Sequence, residues 1–157
     1  MLNNSARRDR AWITAHIPHQ GSMCLLDEVL TWNETQVRCL CRTHRSLDNP
    51  LRARGRLAAI CGIEIASQAI AVHGALTAPL PQTQRRSGFL AGVRNVSLHT
   101  ERLDDYVEDL IATVNRVGGD DATILYDFDL SVSLRSLVAG RALIVMSRAD
   151  GNPGAAR

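Results

Sequence analysis

Little in this sequence commits it to a special class. Two Trp, two Tyr and two Phe are its whole aromatic complement. No basic stripe interleaves with them, so nothing reads as a nucleic-acid footprint. An excess of one charge is missing too, since 18 basic side chains stand against 16 acidic ones, a formal net charge of +2. The four cysteines, Cys24, Cys39, Cys41 and Cys61, show neither CxxC nor the Cys/His spacing of a zinc site. Cys39 and Cys41 would share one face of a strand and Cys61 falls in an apolar helix. They read as small buried hydrophobes in a reducing cytosol. The first residues, MLNNSARRDRAWITAH, carry arginines but no apolar core of a secretory leader. Internal repeats and low-complexity segments are absent. At 157 residues the expectation is one domain over 1–157 with its own core, and disordered polar ends at 1–9 and 149–157.

What is present centres on Leu57–Leu76, LAAICGIEIASQAIAVHGAL. It reads as one helix, apolar on almost every side, which belongs inside a core or a membrane. Its length is about that of a bilayer span. Glu64, Ser67, Gln68 and His73 are too many polar groups for an ordinary span. The expectation is therefore the core helix of a cytoplasmic protein, with no membrane. A carboxylate there is costly unless paired, hydrogen-bonded or protonated, so Glu64 needs a reason.

Around this helix the pattern is strand-like. Arg10–Ala15 suggests a helical turn, and Pro18 and Gly21 make IPHQGS a loop. Met23–Thr31 is a mostly apolar run and Gln36–Thr43 alternates strictly, the two joined through Trp32-Asn33-Glu34 as a hairpin. Arg45–Arg56 reads as an exposed arginine-rich loop into the helix. Gly74 and Pro79 are expected to stop the helix, with a second polar loop after it. Gly88–His99, Glu108–Val117, Ala122–Val132 and Leu137–Ser147 then follow as strands, with turns at Gly118–Asp121 and Ser133–Ser136. Two strands, one buried helix and four consecutive strands favour an α+β fold with an antiparallel meander. A curved antiparallel sheet wrapped around one long central helix is the layout of a hot-dog fold, and such sheets commonly dimerise edge to edge.

IPHQGSMCLLDEVL is similar to the Pro-His-Arg…Leu-Leu-Val-Asp stretch of FabZ-type 3-hydroxyacyl-ACP dehydratases, with Pro18, His19, Leu25, Leu26 and Asp27 in those places. GIEIASQAIA resembles the central helix of the same enzymes, with Glu64 and Gln68 as the matching polar pair. GFLAGVRNVSLH looks like their first strand after the helix. Asn49, Pro50, Arg56, Leu57, Gly62 and Glu64 fit a divergent ApeP-like branch, associated with aryl-polyene pigment biosynthesis, better than the standard enzymes. The standard loop histidine before the helix is missing, since its place falls on Pro50. The family's Pro-Gly at the helix start falls on Ala58-Ala59.

The resemblance implies dehydration of 3-hydroxyacyl thioesters on acyl carrier protein, without metal or dissociable cofactor. A neutral imidazole suits removal of the α-proton. A carboxylic acid with a raised pKa suits donation to the leaving hydroxyl. The N–H groups of a helix start suit the thioester oxygen. Glu64 is then the acid, Cys61 and Gly62 lie where the carbonyl is held, and Gln68 either orients Glu64 or caps a polar pocket. His19 is the candidate base or a tunnel-lining residue. His44 is the weaker alternative. His16 and His99 read as surface, and His73 as a core or interface histidine. Glu64 has a purely structural alternative, pairing with an arginine at a dimer interface. Arg52, Arg54, Arg56, Arg85 and Arg86 would meet the acidic carrier protein or its phosphopantetheine phosphate, or else be solvated loop residues. In this family the two catalytic groups come from different protomers, so a homodimer or heterodimer is implied. The competing readings are a non-catalytic partner subunit of a dehydratase heterodimer and an acyl-CoA thioesterase.

Overall fold

A computed structural model describes residues 8–78, 81 and 86–147. The expected disorder at 149–157 and the Pro79 stop signal lie outside the described residues. At the other end Arg8 and Asp9 are ordered as a short strand, β1, paired with Val29 and Glu28. The polar composition there hides a structural role: Asp9 caps α1 (Arg10–His16), its carboxylate accepting from the Trp12 N–H at 3.1 Å.

The strands are β2 (Glu28–Trp32), β3 (Gln36–Cys41), β4 (Gly88–Leu98), β5 (Leu110–Gly119), β6 (Thr123–Val132) and β7 (Arg135–Met146). They form one antiparallel sheet in the order β1-β2-β3-β5-β6-β7-β4. The expected meander therefore holds only for β5-β6-β7. β4 does not pair with its successor β5 but crosses to the far side of β7, leaving room for the helix inside the curve.

Each hairpin has its own local cause. Asn33 Oδ1 accepts from the Thr35 and Gln36 N–H groups, folding the β2–β3 turn. Asp120 Oδ1 does the same for Ala122 and Thr123 between β5 and β6. Ser133 and Leu134 both take positive φ, 45° and 69°, as a two-residue hairpin turn demands.

The central helix α2 spans Gly62–Thr77, after a 3-10 turn over Ala59–Cys61. The hydropathy pattern had placed its start at Leu57. Leu57 and Ala59 are instead bonded to a distant segment, Leu57 N–H to the Asp104 carboxylate and Ala59 N–H to the Glu101 carbonyl. Gly74 does not stop the helix. Ala59–Thr77 is long and apolar enough to cross a bilayer by length and composition. Here it lies against β3, β5 and β6, with Ile65, Ala66, Ala69 and Val72 fully enclosed in the core. Burial against the even-numbered side chains of β6 and β7, such as Phe128, Leu130, Val138 and Ala142, explains why so little of the helix is polar. Gly62 sits so close to β7 that a Cβ there would lie 3.2 Å from Val138 Cγ2.

Candidate active site

The site begins with an irregular stretch that the apolar pattern had marked as strand. After α1 the chain turns at Gly21, φ 58°, and Cys24, Leu25 and Leu26 are fully buried without belonging to the sheet. Cys24 N–H is bonded to the Gly21 carbonyl, and side chains serve the groups on either side of it. Gln68 Oε1 accepts from Leu25 N–H at 2.8 Å, Gln68 Nε2 donates to Met23 O at 2.7 Å, and Thr43 Oγ1 donates to Leu25 O at 2.7 Å. These bonds lay the 17–27 segment along α2 and bring His19 over Glu64.

His19 Nε2 stands 3.1 Å from Glu64 Oε1, with the two side chains 25% and 33% exposed. Gln68, one helical turn on, donates to the same Oε1 at 3.2 Å. His19 Nδ1 is shut off from solvent and has no hydrogen-bond partner among the described residues. The acid of a dehydration was expected to have a raised pKa. Glu64 is shifted the other way: the hydrogen bond from His19 lowers it most, opposed by burial, with Gln68 and Ser67 lowering it further. Partial burial is outweighed by donors, so this carboxyl favours its ionised form. The two residues meet within one chain, where the resemblance had implied groups from different protomers.

Other candidates are placed differently. Cys61 N–H donates to Ala58 O at 3.0 Å, and Gly62 N–H is engaged by the carbonyls of Ala59 and Ile60. The 3-10 turn thus consumes the N–H groups expected to hold a thioester oxygen. Arg52 is no free loop cation: it pairs with Asp104 at 3.3 Å and donates to Gly55 O, with its side chain 14% exposed. Asp104 also receives Arg102 and the Leu57 N–H, and these donors hold its carboxyl far below the usual range. Arg54 and Arg56 are exposed. Arg85 lies outside the described residues, and Arg86 is bonded to the Ser147 and Asp121 carbonyls.

His44 lies in the 3-10 turn Thr43–Arg45 that follows β3. It is fully buried, with Nε2 3.0 Å from Tyr106 O, and burial lowers its pKa. His73 is a core histidine between Tyr126 Oη at 2.8 Å and Asn33 O at 3.0 Å. His16 stacks on Trp12, and His99 is exposed. Among the described residues no cluster of three His, Cys, Asp or Glu side chains is placed to hold a metal ion. Asp104 was missed by the sequence reading. Its only signal was an acidic pair two residues beyond Arg102, and nothing in the pattern links it to Leu57.

The sheet and its enclosed helix together define a hot-dog protein, with a histidine–carboxylate pair between the 17–27 segment and the central helix. The model of the ApeP-like family, described as ApeP dehydratase, matches residues 11–152. The chain belongs to this dehydratase family. No curated protein matches it in sequence. Among solved structures it is similar to a chain of the dehydratase heterocomplex ApeI:P from Xenorhabdus doucetiae, with 22% identity and a TM-score of 0.74 over 87% of this chain and 91% of that one. A mutant thioesterase, PA1618 from Pseudomonas aeruginosa, shares the fold at 13% identity and a TM-score of 0.64, over 92% of this chain and 96% of that one. A thioesterase family protein from Silicibacter pomeroyi does so at 12% identity and 0.63, over 85% and 94%.

Proposed function

We propose that this chain dehydrates 3-hydroxyacyl thioesters carried on acyl carrier protein to trans-2-enoyl thioesters, in fatty-acid or polyketide-type synthesis such as that of polyene pigments. The observation that carries the reading is the His19–Glu64 contact, braced by Gln68, in a member of a dehydratase family. α-Proton removal and expulsion of a β-hydroxyl need a proton accepted at Cα and a proton returned at the β-oxygen. The pair supplies both, and neither a metal nor a dissociable cofactor enters. Arg54 and Arg56, exposed on the loop before α2, are the cations offered to the carrier protein or its phosphate.

The site works within an assembly of two hot-dog chains. β4 is hydrogen-bonded only on its β7 side among the described residues and exposes Phe89, Leu90 and Leu98, a surface suited to a second hot-dog sheet. The similarity to a chain of a dehydratase heterocomplex favours a heterologous partner as the second reading, in which this chain completes a dehydratase without turning over alone. The free cysteines suit the reducing cytoplasm.

The test is mass spectrometry of a 3-hydroxyacyl carrier thioester after incubation with the purified chain, alone and with a second hot-dog dehydratase chain. Loss of one water with the chain alone supports the enzyme. Loss only in the mixture makes it the partner subunit. Release of free acid and thiol without enoyl product makes it a thioesterase.

A further inference from the structure

The contact between His19 and Glu64 leaves open which of the two moves the proton, and the hydrogen bonds around it decide. Gln68 is the fixed point. Its Oε1 receives the Leu25 N–H, so its amide nitrogen faces the Met23 carbonyl and Glu64 Oε1. Glu64 Oε1 is therefore an acceptor. His19 has two neutral tautomers. A hydrogen on Nδ1 would be a donor sealed from water with no acceptor among the described residues, and buried orphan N–H groups are rarer than buried bare acceptors. The hydrogen is thus assigned to Nε2, which donates to Glu64 Oε1 across 3.1 Å. In that state the only free lone pair of the imidazole is the enclosed one. The basic group that an incoming substrate reaches is the carboxylate, 33% exposed.

We propose that Glu64 itself takes the α-proton and returns it to the β-oxygen, with His19 as the positioning residue that donates to the carboxylate and fixes its orientation. This rests on the dehydratase reading. The Cα–H bond breaks as an O–H bond forms on Glu64, and the C–H electron pair becomes the Cα=Cβ bond. The Cβ–O bond breaks, and its oxygen takes the proton from Glu64 and leaves as water. The carboxylate is regenerated, and no further reagent is consumed. One group on one face of the substrate makes the elimination syn. The groups facing the carboxyl are His19 from the loop and Gln68 and Ser67 from its own helix, and all three favour its ionised form.

The test is the pH dependence of kcat/KM for water loss, with Glu64→Gln and His19→Gln beside the wild type. Glu64 as base keeps the wild type active from neutral pH down to the carboxylate range, without an inflection near the ordinary histidine pKa of about 6.5. Glu64→Gln then loses about 1,000-fold in kcat. His19→Gln, which keeps an N–H donor, loses about tenfold and shifts its acid limb upward, towards an ordinary carboxylate. An acid limb near 6.5 in the wild type, or a His19→Gln as inactive as Glu64→Gln, overturns the assignment. A readout that needs no turnover is the 15N spectrum of His19 at neutral pH, where a hydrogen on Nε2 is expected and one on Nδ1 refutes the argument. Absence of water loss by the wild type, alone and with a second hot-dog chain, overturns the dehydratase reading itself and this step with it.

Discussion

Gln68 carries more of the site than its neighbours in the sequence suggest. Its carboxamide is fully buried and ties α2 to Met23 and Leu25, more than 40 residues away in the chain. Gln68→Leu nearly conserves volume, so the cavity contribution is small. What is lost is hydrogen bonding: the Leu25 N–H and the Met23 C=O are left without their partners in a closed region, at about 1–3 kcal/mol each. The expected loss is about 2–5 kcal/mol in urea denaturation. At about 2–4 °C per kcal/mol for a chain of this size, the melting temperature falls by roughly 10 °C. Gln68→Glu separates hydrogen bonding from packing. Its carboxylate would face Met23 O and Glu64, so it should be less stable than Gln68→Leu at neutral pH and recover as the pH is lowered. A Gln68→Leu loss below about 0.5 kcal/mol, the range of an ordinary surface substitution, would refute the claim that this side chain holds the loop on the helix.

Acid should weaken the fold in two stages. His44 and His73 are kept neutral by burial below their ordinary pKa of 6.5, so the unfolded chain binds protons first and stability drops as the pH falls past 6.5. Glu64 and Asp104, ordinarily at 4.5 and 3.8, are depressed in the fold, so their contribution is complete above those values and drains as the pH falls below them. Asp104→Asn should flatten that second stage in a urea series run at stepped pH. Tyr126→Phe removes the donor to His73 Nδ1, since Nε2 must face the Asn33 carbonyl. It should cost about 1–2 kcal/mol, read by chemical denaturation. Ser133→Asn with Leu134→Gly relieves two positive-φ positions and should raise stability by about 1 kcal/mol, read as a higher urea midpoint.

Local signals gave much of the architecture. Alternation in Gln36–Thr43 marked β3 within two residues, and the gly-rich and polar breaks at 118–121 and 133–136 separated β5, β6 and β7. Hydropathy found the central helix but misjudged its start by five residues. Leu57 and Ala59 are as apolar as helix residues, yet their backbone groups are taken by Asp104, Leu103 and Glu101 from across the chain. The same blindness made a strand of Cys24–Leu26, because burial raises hydropathy whether a ladder or a glutamine satisfies the backbone.

Sequence by itself determined the candidate groups. An acid in an apolar helix, a glutamine one turn later and a histidine on a Pro/Gly loop were visible as residue types needing a reason. Tertiary structure decided what they are to each other. Periodicity could put Glu64 and Gln68 on one helical face, but no local rule brings His19 within 3.1 Å of Glu64. That approach is made by hydrogen bonds between segments more than 40 residues apart. The same contact reversed the expected state of Glu64, because a carboxyl's charge depends on which donors surround it as well as on how deeply it is buried. The crossing of β4 to β7 was likewise invisible, since a strand's own residues record which faces are buried, not which neighbour it will pair with.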